Sequence, residues 1–439
     1  MIITPIRTTT DAGQKLIAQL LNRFQETGAG CRKTVAEILA AVKERGDDAL
    51  LEYTRKFDAP GLQLSQLQVT PEEFDRARDQ VDAAFMETLS LAVERVQFFH
   101  EQELEKSWTL TRDDGVITGR LVRPVAAAGL YVPGGQGGKT PLVSSVLMNG
   151  IPAGIAGVEK RIMVTPPNEK GEVHPALLVA AATIGIDQVF KVGSCWAIAA
   201  LAYGTRSIPR VDVIVGPGNQ YVAEAKQQVS SFVGIDMVAG PSEVLIVADE
   251  SARPDYIAAD MLAQAEHDPQ ALAMLLTTSP EVGERVAGEL ERQLQQLNRR
   301  EIAASALRNR GVILLVDDLD EAISLANKIA AEHLELMIEK PDTWLHAIQH
   351  AGAIFLGNYS PEAAGDYLAG PNHVLPTMGT ARYSSALGVE TFLKKSSIIS
   401  YSRDALQEDG RHIMALANLE GLSAHAKSVA VRLKNGEKG

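Results

Sequence analysis

The sequence predicts an α/β protein with two doubly wound lobes of mostly parallel sheet, N-terminal helices and a C-terminal helical tail. Three observations predict it. At 439 residues the chain is too long for one compact core. From about residue 120, short and nearly all-apolar runs alternate with helix-sized segments, as parallel strands buried on both faces do. Those runs fall into two successive series, which makes two lobes of Rossmann-like type.

Taken in order, residues 1 to about 115 read as helical. Thr34–Phe57 shows apolar residues at helical spacing, and Thr70, Pro71 and Glu73 form a capping box with proline at the first helical position. The first strand series is "VRPVAAAGLYV", "KRIMVT", "QVFKV" and "VDVIVG", with "PALLVAAATIGI" and "AIAALAYGT" as helices between. The second is "EVLIVAD", "ALAMLLTTS", "GVILLVDD", "HLELMI" and "GAIFLG". After residue 385 comes one more strand, "SSIISYS", then helices with a break near Gly421 and Ser423 as a candidate cap. That tail has a modest apolar face and no lobe of its own, so it is expected to dock on a partner chain.

Composition excludes several classes. The chain is 46% hydrophobic and 22% charged, with a net charge of −13 and no long basic run, which argues against nucleic acid as a partner. There is no signal-peptide pattern, and no run of about 18 apolar residues to span a membrane. Two cysteines, Cys31 and Cys195, give neither a disulfide framework nor a cysteine zinc site, and Cys195 reads as a packed residue. The chain is expected to be cytoplasmic.

Two glycine-rich loops nearly match nucleotide fingerprints. "YVPGGQGGKTP" has Pro133 where a P-loop needs glycine, and proline supplies no backbone N–H. "GPGNQY" lies between a strand and a helix but has Tyr221 where a dinucleotide fingerprint has its third glycine. Both can still bring backbone to a ligand at the carboxyl ends of strands, or serve only as tight turns.

The polar candidates are scattered. Gln264 and His267 are three apart in "DMLAQAEHD" and share one helix face; Glu332 and His333 adjoin where a helix gives way to a strand. Asp366 and His373 sit in "GDYLAGPNHVLP", Glu420 and His425 in "EGLSAHAKS", and Ser242 just before a strand. Two imidazoles and a carboxylate (His267, His425, Asp366) suit zinc, and Glu332–His333 suits proton transfer near neutral pH. Taken singly, each has a plainer reading, as a solvated helix histidine or a charged helix end. His100, His174, His346, His350 and His412 read as surface residues.

The ordered set "GLYVPGG", "GPGNQYV", "DMVAGPSEVLIVAD", "DMLAQAEHD", "EHLEL", "GDYLAGPNHVLPT" and "EGLSAHAKS" closely resembles the histidinol dehydrogenase family, from about residue 30 to 435. The resemblance implies oxidation of L-histidinol to L-histidine, the last step of histidine biosynthesis. Two NAD are used, and histidinal stays bound between the two hydride transfers. It implies one zinc ion per subunit, held by Gln264, His267, Asp366 and, from the other subunit of a homodimer, His425. It implies His333 as base for the alcohol and Glu332 as the group that activates water. Ser242, Gln264, His267, His333, Asp366, His373, Glu420 and His425 would contact the substrate, and Tyr131 and Asn219 would contact NAD. The implied division is an N-terminal segment 1–30, a catalytic and metal lobe 31–130 with 242–385, an NAD lobe 131–241, and a dimer-docking tail 386–439.

Two positions depart from the family pattern. Trp196 stands where a glutamine that contacts NAD is usual, and it is carried over only as a candidate cofactor neighbour. Ala331 stands where proline is common before the Glu–His pair. Three other functions compete. A related zinc and NAD alcohol dehydrogenase acting on a dihydroxypropane sulfonate would lack the imidazole-facing Glu420 and His373, both present here. A two-lobed solute-binding protein would need an export signal and no Glu332–His333. A P-loop nucleotidase fails at Pro133.

Overall fold

The structure is a computed structural model that describes residues 2–23, 30–134 and 140–434. Residues 135–139 of the "YVPGGQGGKTP" loop therefore lie outside the described residues. Among those described, no helix is long and apolar enough to cross a membrane.

In chain order, β1 (Ile6–Arg7) leads to α1 (Asp11–Asn22), α2 (Arg32–Arg45), α3 (Asp47–Phe57), α4 (Pro71–Asp79) and α5 (Ala83–His100). Strands β2 (Trp108–Thr111) and β3 (Ile117–Pro124) precede β4 (Ala127–Tyr131) and α6 (Val143–Ile155). Then come β5 (Lys160–Thr165), α7 (Pro175–Thr183), β6 (Gln188–Lys191), α8 (Ser194–Tyr203), β7 (Val213–Val215), α9 (Gln220–Val229) and β8 (Gly234–Ile235). The next series is β9 (Glu243–Ala248), α10 (Pro254–Ala265), β10 (Leu272–Thr277), α11 (Pro280–Leu294), α12 (Arg300–Arg310) and β11 (Val312–Leu315). It continues with α13 (Leu319–Ile329), β12 (His333–Met337), β13 (Ala353–Leu356) and α14 (Glu362–Tyr367). The chain ends with β14 (Leu393–Ser400), α15 (Arg403–Leu419) and α16 (Ser423–Lys434).

The chain divides into two compact units. The larger holds residues 1–103 and 125–392; the smaller holds 104–124 and 393–439. The larger contains two parallel sheets. Sheet A has the order β1-β11-β10-β9-β12-β13 and sheet B the order β6-β5-β4-β7-β8. Successive residues of a strand point to opposite faces, and sheet A buries both. Ile246, Ala273 and Leu275 pack with Met261 and Leu262 of α10, while Val247, Met274 and Leu276 pack with Ile323 and Ala326 of α13. This double burial is why the strands read as unbroken apolar runs. Each fully buried Leu or Ile contributes about 1.5–3 kcal/mol. Thr70 and Glu73 make the expected capping box at α4.

Three details differ from the sequence reading. Residues 1–115 also contain β1, which joins sheet A, and β2, because strand pairing with distant partners overrides local helical pattern. The 31–130 stretch does not pack with 242–385 as a unit: Val35, Ile38, Val42 and Leu50 of α2 and α3 share a core with Ile162, Val164 and Ile214 of sheet B. His100 is fully buried, with Nδ1 2.7 Å from Glu103 Oε2, rather than on the surface.

The smaller unit is an antiparallel sheet, β14-β3-β2, followed by the hairpin of α15 and α16. Gly421, at φ 74°, turns the chain between the two helices, a left-handed conformation that glycine adopts without penalty.

Candidate active site

The site grows from the amino edge of sheet A. Strands β9 and β12 are neighbours and begin together, with His333 paired in register to Val244. Chain order reverses here, because β10 and β11 lie to one side of β9 and β12 and β13 to the other. Ser242, Glu243, Glu332 and His333 are therefore brought together. The N–H of Glu243 donates to Glu332 Oε2 at 2.8 Å, and the Ser242 hydroxyl beside this carboxyl favours its charged form. His333 Nδ1 lies 3.0 Å from the carbonyl oxygen of Glu243.

That last contact sets the tautomer. A carbonyl only accepts, so Nδ1 carries the proton and Nε2 presents a lone pair. Nε2 is buried and has no hydrogen-bond partner. Burial pushes the imidazole down to about 4, so it stays neutral at physiological pH. The same burial holds Glu332 well above the ordinary carboxylate range, opposed by the Glu243 N–H and reinforced by the Glu243 and Asp366 charges. The two side chains are a basic imidazole and a proton-hungry carboxyl side by side.

Helix α10 returns to the same edge with Gln264 in its last turn. Glu266 caps the helix, and His267 lies just past its end, held by its N–H to the Gln264 carbonyl at 3.2 Å. The two residues are neighbours through a tightened terminal turn rather than an unbroken helix face. Helix α14 supplies Glu362 and Asp366 one turn apart. Ligand atoms of His267, Glu362 and Asp366 all fall within 4.8 Å of one another, a spacing that suits one cation. With its amide nitrogen toward Glu362, Gln264 donates at 3.1 and 3.2 Å, which leaves the amide oxygen for another partner. His267 keeps solvent access, yet desolvation by the groups packed around it lowers its pKa and keeps its lone pair available, while burial raises Asp366 to about 6. Buried carboxyls in this number are poorly compensated without a cation, so the donor set fits a divalent metal such as zinc. His373 lies beside Asp366, with Nδ1 3.1 Å from its carbonyl oxygen, and burial pushes it down to about 4.

Three acidic residues here escaped the sequence reading. Glu362 accepts from Gln264, and its own N–H donates to Glu335 Oε1 at 3.0 Å. Glu335 and Asp260 form a buried carboxyl pair; burial pushes both up, and the Asp260 charge adds to the rise at Glu335. The available signals were Glu362 four residues before Asp366 and a lone acid inside the apolar run "HLELM".

The candidate cofactor residues lie at the carboxyl edge of sheet B. Tyr131 ends β4, and its hydroxyl accepts from the Ser194 N–H at the start of α8. Asn219 caps α9, accepting from the N–H groups of Tyr221 and Val222. Gly216 sits between them at φ 115°, and a Cβ there would lie 2.1 Å from the Tyr131 carbonyl oxygen. The loop after β7 therefore packs tightly against the end of β4, a fit that only glycine allows. Trp196 is a core residue. It is buried, stacks on Tyr53 and Phe57, and donates from Nε1 to Thr54 Oγ1 at 3.1 Å. Glu420 and His425 belong to the smaller unit, at the end of α15 and on α16, and both are exposed.

Comparison with known proteins agrees across the whole chain. The family model described as histidinol dehydrogenase matches residues 21–433. A histidinol dehydrogenase of Desulfotalea psychrophila is 65% identical over 434 residues, 99% of this chain and 100% of that protein. One from Syntrophotalea carbinolica is 51% identical over 97% of this chain and 98% of its own length. The crystal structure of histidinol dehydrogenase from Elizabethkingia anophelis superposes with a TM-score of 0.90 at 38% identity, covering 96% of both chains. A buried Glu–His pair at the amino edge of a parallel sheet, the donor cluster beside it and these relatives together establish that the chain belongs to the histidinol dehydrogenase family.

Proposed function

We propose that this protein oxidises L-histidinol to L-histidine with NAD, in the cytoplasm, as the last step of histidine biosynthesis. The observation that carries the reading is the bare Nε2 of His333, its Nδ1 pinned to Glu243, beside the raised carboxyl of Glu332. When bound, NAD would supply the hydride acceptor for each of two rounds, and zinc would bind and orient the substrate. Gln264, His267 and Asp366 would hold that zinc, with His425 of the partner subunit as the fourth ligand.

The chain's own residues then move protons. In the first oxidation His333 Nε2 takes the hydroxyl proton while the carbon loses its hydride, which leaves an aldehyde. A primary alcohol to a carboxylate is a four-electron change, so the aldehyde must gain water before a second hydride can leave. Glu332 takes a proton from that water as its oxygen adds to the carbonyl carbon, and His333 returns its proton to the carbonyl oxygen, which completes the hydrate. His333 again accepts the hydroxyl proton when the hydrate loses its hydride. Ser242 keeps Glu332 oriented, and His373 and Glu420 are assigned to the substrate. Tyr131 and Asn219 are assigned to NAD.

The active form is proposed to be a homodimer in which each tail completes the partner's site. Exposed apolar groups on the hairpin, Leu416, Leu419 and Leu422, support such docking. Subunits bearing His267→Ala mixed with subunits bearing His425→Ala should regain activity, because one of the two sites is then intact.

The deciding assay follows NADH from L-histidinol, with about two NADH per substrate expected from a four-electron oxidation. The relatives favour histidinol over a dihydroxypropane sulfonate, which serves as the control substrate. No NADH from histidinol with zinc supplied, between pH about 7 and 10, would sink the assignment.

A further inference from the structure

Arg23 follows the last residue of α1, far in sequence from the candidate site, yet its guanidinium reaches three chain segments. Nε donates to Glu243 Oε1 at 2.5 Å, and a terminal nitrogen donates to Oε2 at 2.8 Å. That same nitrogen donates to the Ile329 carbonyl at 2.8 Å, and the other donates to the Leu20 carbonyl at 2.8 Å. Arg23 is 4% exposed and Glu243 0%.

Both tethered segments lead straight into the acid–base pair. Glu243 is the residue whose N–H holds Glu332 and whose carbonyl sets the His333 tautomer. Ile329 ends α13, and Ala330 after it is left-handed at φ 51°, turning the chain into Ala331 and Glu332. A non-glycine residue in that region is strained, and it stays there only when its surroundings hold it.

We propose that Arg23 is a positioning residue for the oxidation, holding the starts of β9 and β12 together so that Glu332 and His333 keep their aim. This rests on the reading of Glu332–His333 as the acid–base pair. The role has a geometric part and an electrostatic part. The flat guanidinium spans both carboxylate oxygens and a carbonyl at once, which an ammonium cannot do. Its charge also offsets part of the Glu243 charge, which adds to the negative field on Glu332. The groups facing Glu332 are Glu243 from β9, His333 beside it, Asp366 and Glu362 from α14, and the Ser242 hydroxyl.

The test uses the full-length zinc-loaded enzyme and three variants: Arg23→Gln, Arg23→Lys, and Arg23→Gln with Glu243→Gln. Each is read by NADH formation against pH at a temperature where it is folded. Arg23→Gln should lose kcat roughly tenfold or more, with KM for histidinol within about twofold, and its acid limb should move to higher pH. Arg23→Lys keeps the charge and loses the fork, so kcat falls while the acid limb stays. The double variant removes the bare charge, so the acid limb returns toward that of the wild type while kcat stays low. A folded Arg23→Gln enzyme with wild-type kcat and pH profile overturns the proposal, as does the same limb shift in all three variants. If the wild type makes no NADH, the acid–base reading fails instead. The 15N ring signals of His333 then decide: Arg23→Gln should lose the pure Nδ1–H form, and unchanged signals overturn the positioning role.

Discussion

The Nδ1 atom of His333 lies 3.0 Å from the carbonyl oxygen of Glu243, and this one contact divides the imidazole into a holding end and a working end. Replacing His333 with glutamine removes the working end. The expected result is a loss of about 10²- to 10⁴-fold in NADH formation from histidinol, with zinc content unchanged. A smaller effect, or loss of the metal, would contradict the assigned role.

Glu332→Gln keeps an acceptor for the Glu243 N–H but cannot take a proton from water. Oxidation of supplied histidinal should fall further than formation of the first NADH from histidinol. The pH dependence should change with it. His333 is pushed down to about 4 and stays neutral, whereas Glu332 is raised by burial, so the acid limb of kcat belongs to Glu332. In Glu332→Gln the residual first oxidation should be flat between pH about 6 and 9. A retained limb would assign it to another group.

His267→Ala should lose zinc and stay folded. The residue is exposed just past the end of α10, and exposed positions away from the core carry little stability, usually within about 0.5 kcal/mol. Metal analysis beside a thermal melt checks this. Full zinc occupancy in the variant would remove His267 from the ligand set.

Asp58 offers a stability test away from the site. Burial raises its carboxyl from 3.8 to about 6, and its Oδ2 has no partner. A raised group contributes stability below its unfolded value and loses that contribution as pH rises through the folded value. The stability of Asp58→Asn relative to wild type, followed by thermal melts, should therefore rise by about 1–3 kcal/mol between pH about 4 and 6 and level off above. A constant difference across that window would show that the carboxyl is not shifted.

Trp196→Phe separates core from cofactor. Phenylalanine keeps the stacking on Tyr53 and Phe57 but loses the bond to Thr54, at a cost of about 1–3 kcal/mol with the smaller ring. Tm should fall while KM for NAD stays within about twofold. A large rise in that KM at unchanged Tm would place the indole beside the nucleotide.

Much of the fold was legible because sheet A is buried on both faces, so its strands show as apolar runs with no alternation to misread. The box at Thr70 and Glu73 was legible because capping is local chemistry. Buried charge was not. Glu243 and Arg23 look like ordinary surface residues in sequence, since nothing local says that a strand start will be covered by a helix end 220 residues away. Asp366 and His373 were legible as polar residues in a glycine-rich loop. Glu362 was not, because its role appears only once α14 docks on Glu335. The packing of α2 and α3 on sheet B was equally hidden, since an amphipathic helix does not name the sheet it will cover.

The two sheets offer opposite strand ends to their candidate ligands, and this has an electrostatic consequence. At the amino edge of sheet A, α10 arrives with its carboxyl end, the partially negative pole of its dipole, beside Gln264 and His267. At the carboxyl edge of sheet B, α8 and α9 start, with the partially positive poles of their dipoles beside Tyr131 and Asn219. Helix dipoles alone therefore favour a cation at the first edge and the phosphates of a dinucleotide at the second. The fold sorts a metal from an anionic cofactor by backbone direction, before any side chain makes its choice.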